Sequence, residues 1–172
     1  MTNILRGSRS AVSACILGIL TFVMLSASTA SAKELTNRLG IGVKNNNSEE
    51  LPALATVYYP NSELAFTGSV GIDTKKNNSK LAFNAGVRKI LFKETNMNFY
   101  YGGQAGYVSY EELAVKHSGF ELSGLFGAEF FLPGLESLAL TFEGGLGITS
   151  LDTVRFRTIG DHPLRAGIIF YF

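Results

Sequence analysis

Tryptophan is absent from this 172-residue sequence, cysteine occurs once, histidine twice and proline four times. A lone cysteine, Cys15, cannot close a disulfide within the chain. With only His117 and His162 to draw on, no Cys, His, Asp and Glu spacing fits a metal site, and no cofactor motif is present. Charge is sparse: 15 basic and 14 acidic residues make up 17% of the chain. That balance excludes nucleic acid or a strongly anionic surface as the main partner. After residue 32 no apolar run approaches the roughly 20 residues of a transmembrane helix. If that part of the chain enters a membrane, it does so as a closed barrel, the other solution that pairs every backbone group.

What is present begins with residues 1–32. Arg6 and Arg9 form a short basic region, an apolar stretch runs from Ala11 to Leu25, and small residues lead to Ala30-Ser31-Ala32. These are the three parts of a secretory signal peptide, and cleavage is expected after Ala32. Val12-Ser13-Ala14-Cys15 has the look of a lipoprotein box, but most of the apolar run follows the cysteine, where a lipoprotein has it first. Cleavage leaves one domain, 33–172, without cysteine and with 13 basic against 14 acidic residues.

Residues 33–172 show alternation of period two and little helical periodicity. Eight strands are expected over 36–44, 51–60, 63–73, 79–92, 97–110, 118–132, 137–150 and 156–172. Most are long enough to cross a bilayer as tilted strands of roughly 9–11 residues. In the last, Leu164, Ala166, Ile168, Phe170 and Phe172 share one face, while Arg165, Gly167, Ile169 and Tyr171 take the other. Phe120, Leu122, Phe126, Ala128 and Phe130 oppose Glu121, Ser123, Gly127 and Glu129 in the same way. The second strand has no clear outer face: Leu54, Thr56 and Tyr58 compete with Ala53, Ala55, Val57 and Tyr59. Tight turns at 60–62, 93–96 and 133–136 alternate with more polar connections at 45–50, 74–78, 111–117 and 151–161. Short turns on one side and longer loops on the other are the pattern of outer-membrane barrels, with the short turns periplasmic. Aromatic residues gather near the short turns, among them Tyr58, Tyr59, Tyr100, Tyr101, Phe170 and Tyr171, as an interfacial girdle would.

The segment Arg165-Ala166-Gly167-Ile168-Ile169-Phe170-Tyr171-Phe172 resembles the C-terminal β-signal of outer-membrane proteins. In length and strand number residues 33–172 are similar to the eight-stranded OmpX/OmpA-type barrels and to the broad family of outer-membrane β-barrel domains. The resemblance implies an all-β, antiparallel up-and-down transmembrane barrel in the bacterial outer membrane. It implies recognition of Leu164, Ala166, Ile168, Phe170 and Phe172 by the assembly machinery, contact with periplasmic chaperones during biogenesis, and lipid and lipopolysaccharide as surroundings. A monomer is expected, and the family brings no catalytic residues.

An eight-stranded barrel has an interior that side chains can fill. Arg38, Arg88, Glu121, Glu129, Glu143 and Arg165 are assigned inward, together with Asn84 and Gln104. Three positive and three negative groups in a low-dielectric lumen imply a linked network, which closes the lumen against a wide pore. Catalysis would need a nucleophile beside an oriented histidine. His117 and Ser118 are neighbours on opposite strand faces. The His-x-Ser pair of lipid A deacylase barrels is absent. The Gly-rich runs 102–106 and 144–147 lie within strands and do not open helices, so they are not phosphate loops. The expectation is a structural or interaction protein, with Lys75, Lys76, Arg155 and Arg157 in loops able to meet lipopolysaccharide phosphates. A narrow channel or lipid-modifying enzyme is the alternative from another class, and a soluble, lipocalin-like periplasmic binding barrel is the third.

Overall fold

In a computed structural model the described residues are 34–46, 51–158 and 164–172, and all regular structure among them is β. The expected signal peptide, and His162 with it, lie outside these residues. The strands are β1 (Leu39–Asn45), β2 (Pro52–Tyr58), β3 (Leu64–Asp73), β4 (Lys80–Glu94), β5 (Met97–Glu112), β6 (Val115–Leu132), β7 (Leu135–Ser150), β8 (Val154–Thr158) and β9 (Arg165–Tyr171). Each pairs antiparallel with its sequence neighbours from β1 to β7. β8 and β9 then pair with successive stretches of β7, so together they occupy the eighth position of the wall. Pairing of β9 with β1, from Gly40↔Tyr171 to Lys44↔Gly167, closes the barrel. Eight antiparallel staves with no free edge around the closed section satisfy the whole backbone ladder.

Alternation explains why these residues form strands. Along β2 the side chains of Ala53, Ala55, Val57 and the following Tyr59 are buried, while Leu54, Thr56 and Tyr58 face out. That resolves the second strand, whose pattern left its facing open. The bulky apolar set of every strand points away from the barrel axis: Leu54 is 63% exposed, Phe120 71% and Phe126 66%. Inside, small residues make room for large ones. A Cβ at Gly40 would lie 2.6 Å from the Tyr171 ring, and one at Gly127 would lie 2.9 Å from Tyr100. Glycine at these two positions lets a tyrosine lie flat against the wall.

The wall is uneven. β4 to β7 run 15, 16, 18 and 16 residues, whereas β1, β2 and β9 have 7 each. The extra length replaces the loop expected over 111–117: β5 and β6 continue to a two-residue tip at Leu113 and Ala114, both with positive φ (51° and 66°). The expected loop after Leu151 likewise contains β8. At the opposite end, Glu34–Arg38 folds beneath the barrel. Asn37 N donates to Tyr59 O at 2.7 Å, and Leu35 is buried against Tyr59 and Tyr171 in one core cluster.

Candidate functional site

Charges and hydroxyls meet on the axis of the barrel, in two linked groups. The first joins Arg88 on β4 and Glu129 on β6 at 2.6 Å. The strand parity that sends Val87 and Lys89 outward sends Arg88 inward, where it is 2% exposed, and Glu129 is fully buried. Tyr59 OH accepts from Arg88 Nη2 at 2.7 Å and donates to Glu129 Oε2 at 3.0 Å. Tyr171 OH accepts from the same nitrogen at 3.0 Å and donates to Glu129 Oε1. Arg88 Nη2 therefore shares two N–H groups among three acceptors. The guanidinium also lies over the Tyr100 ring at 4.4 Å and the Tyr59 ring at 5.2 Å, placing the cation against π faces.

The second group centres on Glu143 of β7. Arg165 of β9 stands 3.0 Å from it and Lys44 of β1 3.8 Å. Tyr100 OH donates to Glu143 Oε1 at 2.9 Å, so one tyrosine bridges the groups, with its ring on Arg88 and its hydroxyl on Glu143. Fixed charges this deep are tolerated because each faces an opposite charge, and Arg88, Glu129 and Glu143 have hydrogen-bonding partners as well. Nearer the longer connections the inward side chains change character. Glu121, Asn84 and Gln104 are buried among Ser69, Ser123 and Thr149, and Asn84 Nδ2 donates to Asn46 Oδ1 at 2.9 Å.

Five of the six charged residues assigned inward from sequence are thus buried in the lumen, and four of them, Arg88, Glu129, Glu143 and Arg165, make the two groups. Arg38 stands apart. It precedes β1, at the rim, and its guanidinium donates to Ser137 Oγ and to the carbonyls of Tyr171 and Phe172 at 3.2–3.3 Å. Lys44 is the lumen cation that sequence reasoning missed; the polar run Asn45-Asn46-Asn47 beside it disguised the strand's last inward position. Tyr59 and Tyr100 were expected in an interfacial girdle and lie inside; Tyr171, counted in that girdle but placed by parity on the face of Arg165, lies inside with it. Each has an aromatic neighbour in sequence (Tyr58, Tyr101, Phe170) that takes the outer face, so parity was the signal available.

The five residues of the expected assembly signal, Leu164, Ala166, Ile168, Phe170 and Phe172, all face outward in one row. His117 sits near the β5–β6 tip, with Nδ1 2.6 Å from Asp152 Oδ2 and its ring stacked on Tyr110 at 5.0 Å. That arrangement ties β6 to the β7–β8 turn. Among the described residues no group of three or more His, Cys, Asp or Glu could hold a metal ion, and no helix is long and apolar enough to cross a membrane.

The fold and its lined interior define the class: a closed eight-stranded antiparallel β-barrel with a polar, ion-paired core. No protein-family model matches the chain, and no curated protein matches its sequence.

Proposed function

We propose that this protein is an integral outer-membrane β-barrel with a closed lumen, serving a structural or interaction role and catalysing no reaction. The observation that carries this reading is inversion. Among the described residues twenty-eight large apolar side chains are exposed, spread over every strand, while the interior buries arginines, glutamates and amides beside tyrosines and a smaller set of apolar side chains. In water such a surface would be unstable against aggregation, because soluble monomers rarely expose apolar patches beyond a few hundred Å². In a bilayer the same surface is solvated by acyl chains and the polar groups are paired inside. A soluble ligand-binding barrel needs the reverse arrangement.

On this reading the short turns lie in the periplasm, the row from Leu164 to Phe172 is the face offered to the assembly machinery, and the barrel resembles the OmpX/OmpA type in architecture. The Arg88 and Glu143 groups, with Leu35 beneath them, close the lumen, so purified protein in planar bilayers is expected to give no steady large conductance. Replacing His117 by Ala is expected to leave the lipid A mass spectrum unchanged. Cell fractionation followed by electrophoresis with and without heating tests the reading as a whole. Recovery in the membrane fraction with a heat-dependent mobility shift is expected, and recovery in the soluble periplasmic fraction would contradict it.

A further inference from the structure

Two clefts meet on the outer wall where β4 approaches its turn to β5. The ladder between these strands slips at Ile90/Phe92, so that Leu91 has no partner on β5 and both Leu91 and Phe92 project outward. Such a bulge bends the strand and opens the wall locally. On one side of these two residues lies a cleft of about 490 Å³ whose polar lining is Ser62, Glu63, Lys89, Lys93 and Tyr101. Lys89 Nζ is 3.9 Å from Glu63 Oε2, and both side chains are more than half exposed, so this pair is easily parted by a better partner. On the other side lies a second cleft of about 330 Å³, which is almost wholly apolar. It passes Phe99, Phe126, Ala128 and Phe142 to Leu164.

The two clefts share Leu91 and Phe92. Phe92 stacks on Phe99 at 4.5 Å, forming a continuous aromatic floor across the junction. The polar cleft is beside the Thr95–Asn96 turn, whereas Phe142 lies in the middle of β7, so the apolar groove rises from the rim into the body of the wall. A polar, doubly cationic pocket with one carboxylate, opening into an apolar groove directed toward the bilayer centre, has the chemistry of one molecule: a glycerophospholipid whose headgroup carries an ammonium.

We propose that this composite surface is a binding site for a phosphatidylethanolamine-type lipid in the leaflet on the short-turn side. Lys89 and Lys93 receive the phosphate, Glu63 receives the ammonium, Tyr101 lies at the interface and one acyl chain occupies the groove over Ala128. Lysine–phosphate contacts are charge-assisted and gain strength where the apolar floor excludes water. Lipid exchange with the bulk is therefore slow here and fast elsewhere on the wall.

The test is native mass spectrometry of the folded full-length barrel in detergent, given equal amounts of phosphatidylethanolamine, phosphatidylglycerol and phosphatidylcholine. One retained phosphatidylethanolamine per barrel is expected. Its population should fall about tenfold in the Lys89→Ala/Lys93→Ala double variant. Glu63→Gln should keep a bound lipid and lose the preference for the ethanolamine headgroup over the glycerol one. Ala128→Phe fills the groove and should weaken binding of all three lipids, whereas free phosphoethanolamine should displace none of them. The heat-dependent gel shift reports folding of every variant. Bound lipids that mirror the mixture, or an adduct untouched by the double variant, would overturn the site. Displacement by phosphoethanolamine would reduce it to a headgroup pocket and overturn the groove. The site presupposes the membrane reading, and the two fail separately: a barrel found soluble ends both, whereas a membrane-bound barrel with no preferred lipid ends only this one.

Discussion

The two halves of the lumen are built on different principles. Toward the short turns Arg88 and Glu129 are held by Tyr59 and Tyr171. Tyr100 links them to Glu143, whose cations Arg165 and Lys44 come from the ends of β9 and β1 at mid-barrel, so that nearly every strand contributes a group. Toward the longer connections the lining is amides and hydroxyls with a single carboxylate, Glu121. There Asn84 Oδ1 and Gln104 Nε2 are buried without a protein partner. Bound water is the group that satisfies such atoms. Around the ion pairs, too, Arg88 Nε, Arg165 Nε and both atoms of the Asn98 amide are buried without a protein hydrogen-bond partner. The contrast teaches where closure resides: one half is a cross-link between strands, the other a lining.

Breaking the cross-link should cost most. Arg88→Leu strands Glu129 and its two tyrosines in the core, with an expected loss of about 3–5 kcal/mol in denaturant unfolding of lipid-reconstituted protein. The Arg88→Leu/Glu129→Leu pair should recover most of that loss, because no uncompensated charge remains. A double variant as unstable as the single one would mean that the tyrosines, and not the charge, bear the cost. Tyr100→Phe removes the hydroxyl on Glu143 and keeps the ring on Arg88. An intermediate loss of about 1.5–3 kcal/mol is expected in the same unfolding experiment, as for a hydrogen bond to a charged group. In the other half Asn84→Ala should cost no more than about 1 kcal/mol, the scale of a neutral hydrogen bond with water at hand to replace it. A larger loss at Asn84 than at Tyr100 would erase the distinction between the halves.

How much of this was legible in sequence follows from what each strand face touches. Where a bulky apolar face opposes a face that lines the lumen, as in β6 from Phe120 to Phe130, alternation lets the facing be read directly, broken only at Gly124, which faces out, and Leu125, which is buried. Beyond that band both faces are exposed, and the pattern dissolves. Lys116 and His117 continue β6, and Glu111 and Glu112 continue β5, yet their polarity reads as loop. In β2 small and bulky residues occupy both parities, so only pairing with β1 and β3 settles its facing. The inward charges were accessible because an arginine or glutamate within an apolar alternation has one place to go. Tyr171 was readable by the same parity as Arg165, whereas Tyr59 and Tyr100 were hidden by composition, since an aromatic pair at a strand end looks like a girdle whichever member turns inward.

The expected mature chain has no cysteine, so single cysteines can be introduced on a silent background. Spin labels placed one at a time at Leu54, Phe66, Leu122, Ile148 and Ile168 report what surrounds the outer face of five different strands. In reconstituted protein every label should collide readily with oxygen dissolved in the bilayer and be shielded from a water-soluble nickel chelate. Labels open to the chelate at all five positions would mean that water, and not lipid, surrounds the barrel.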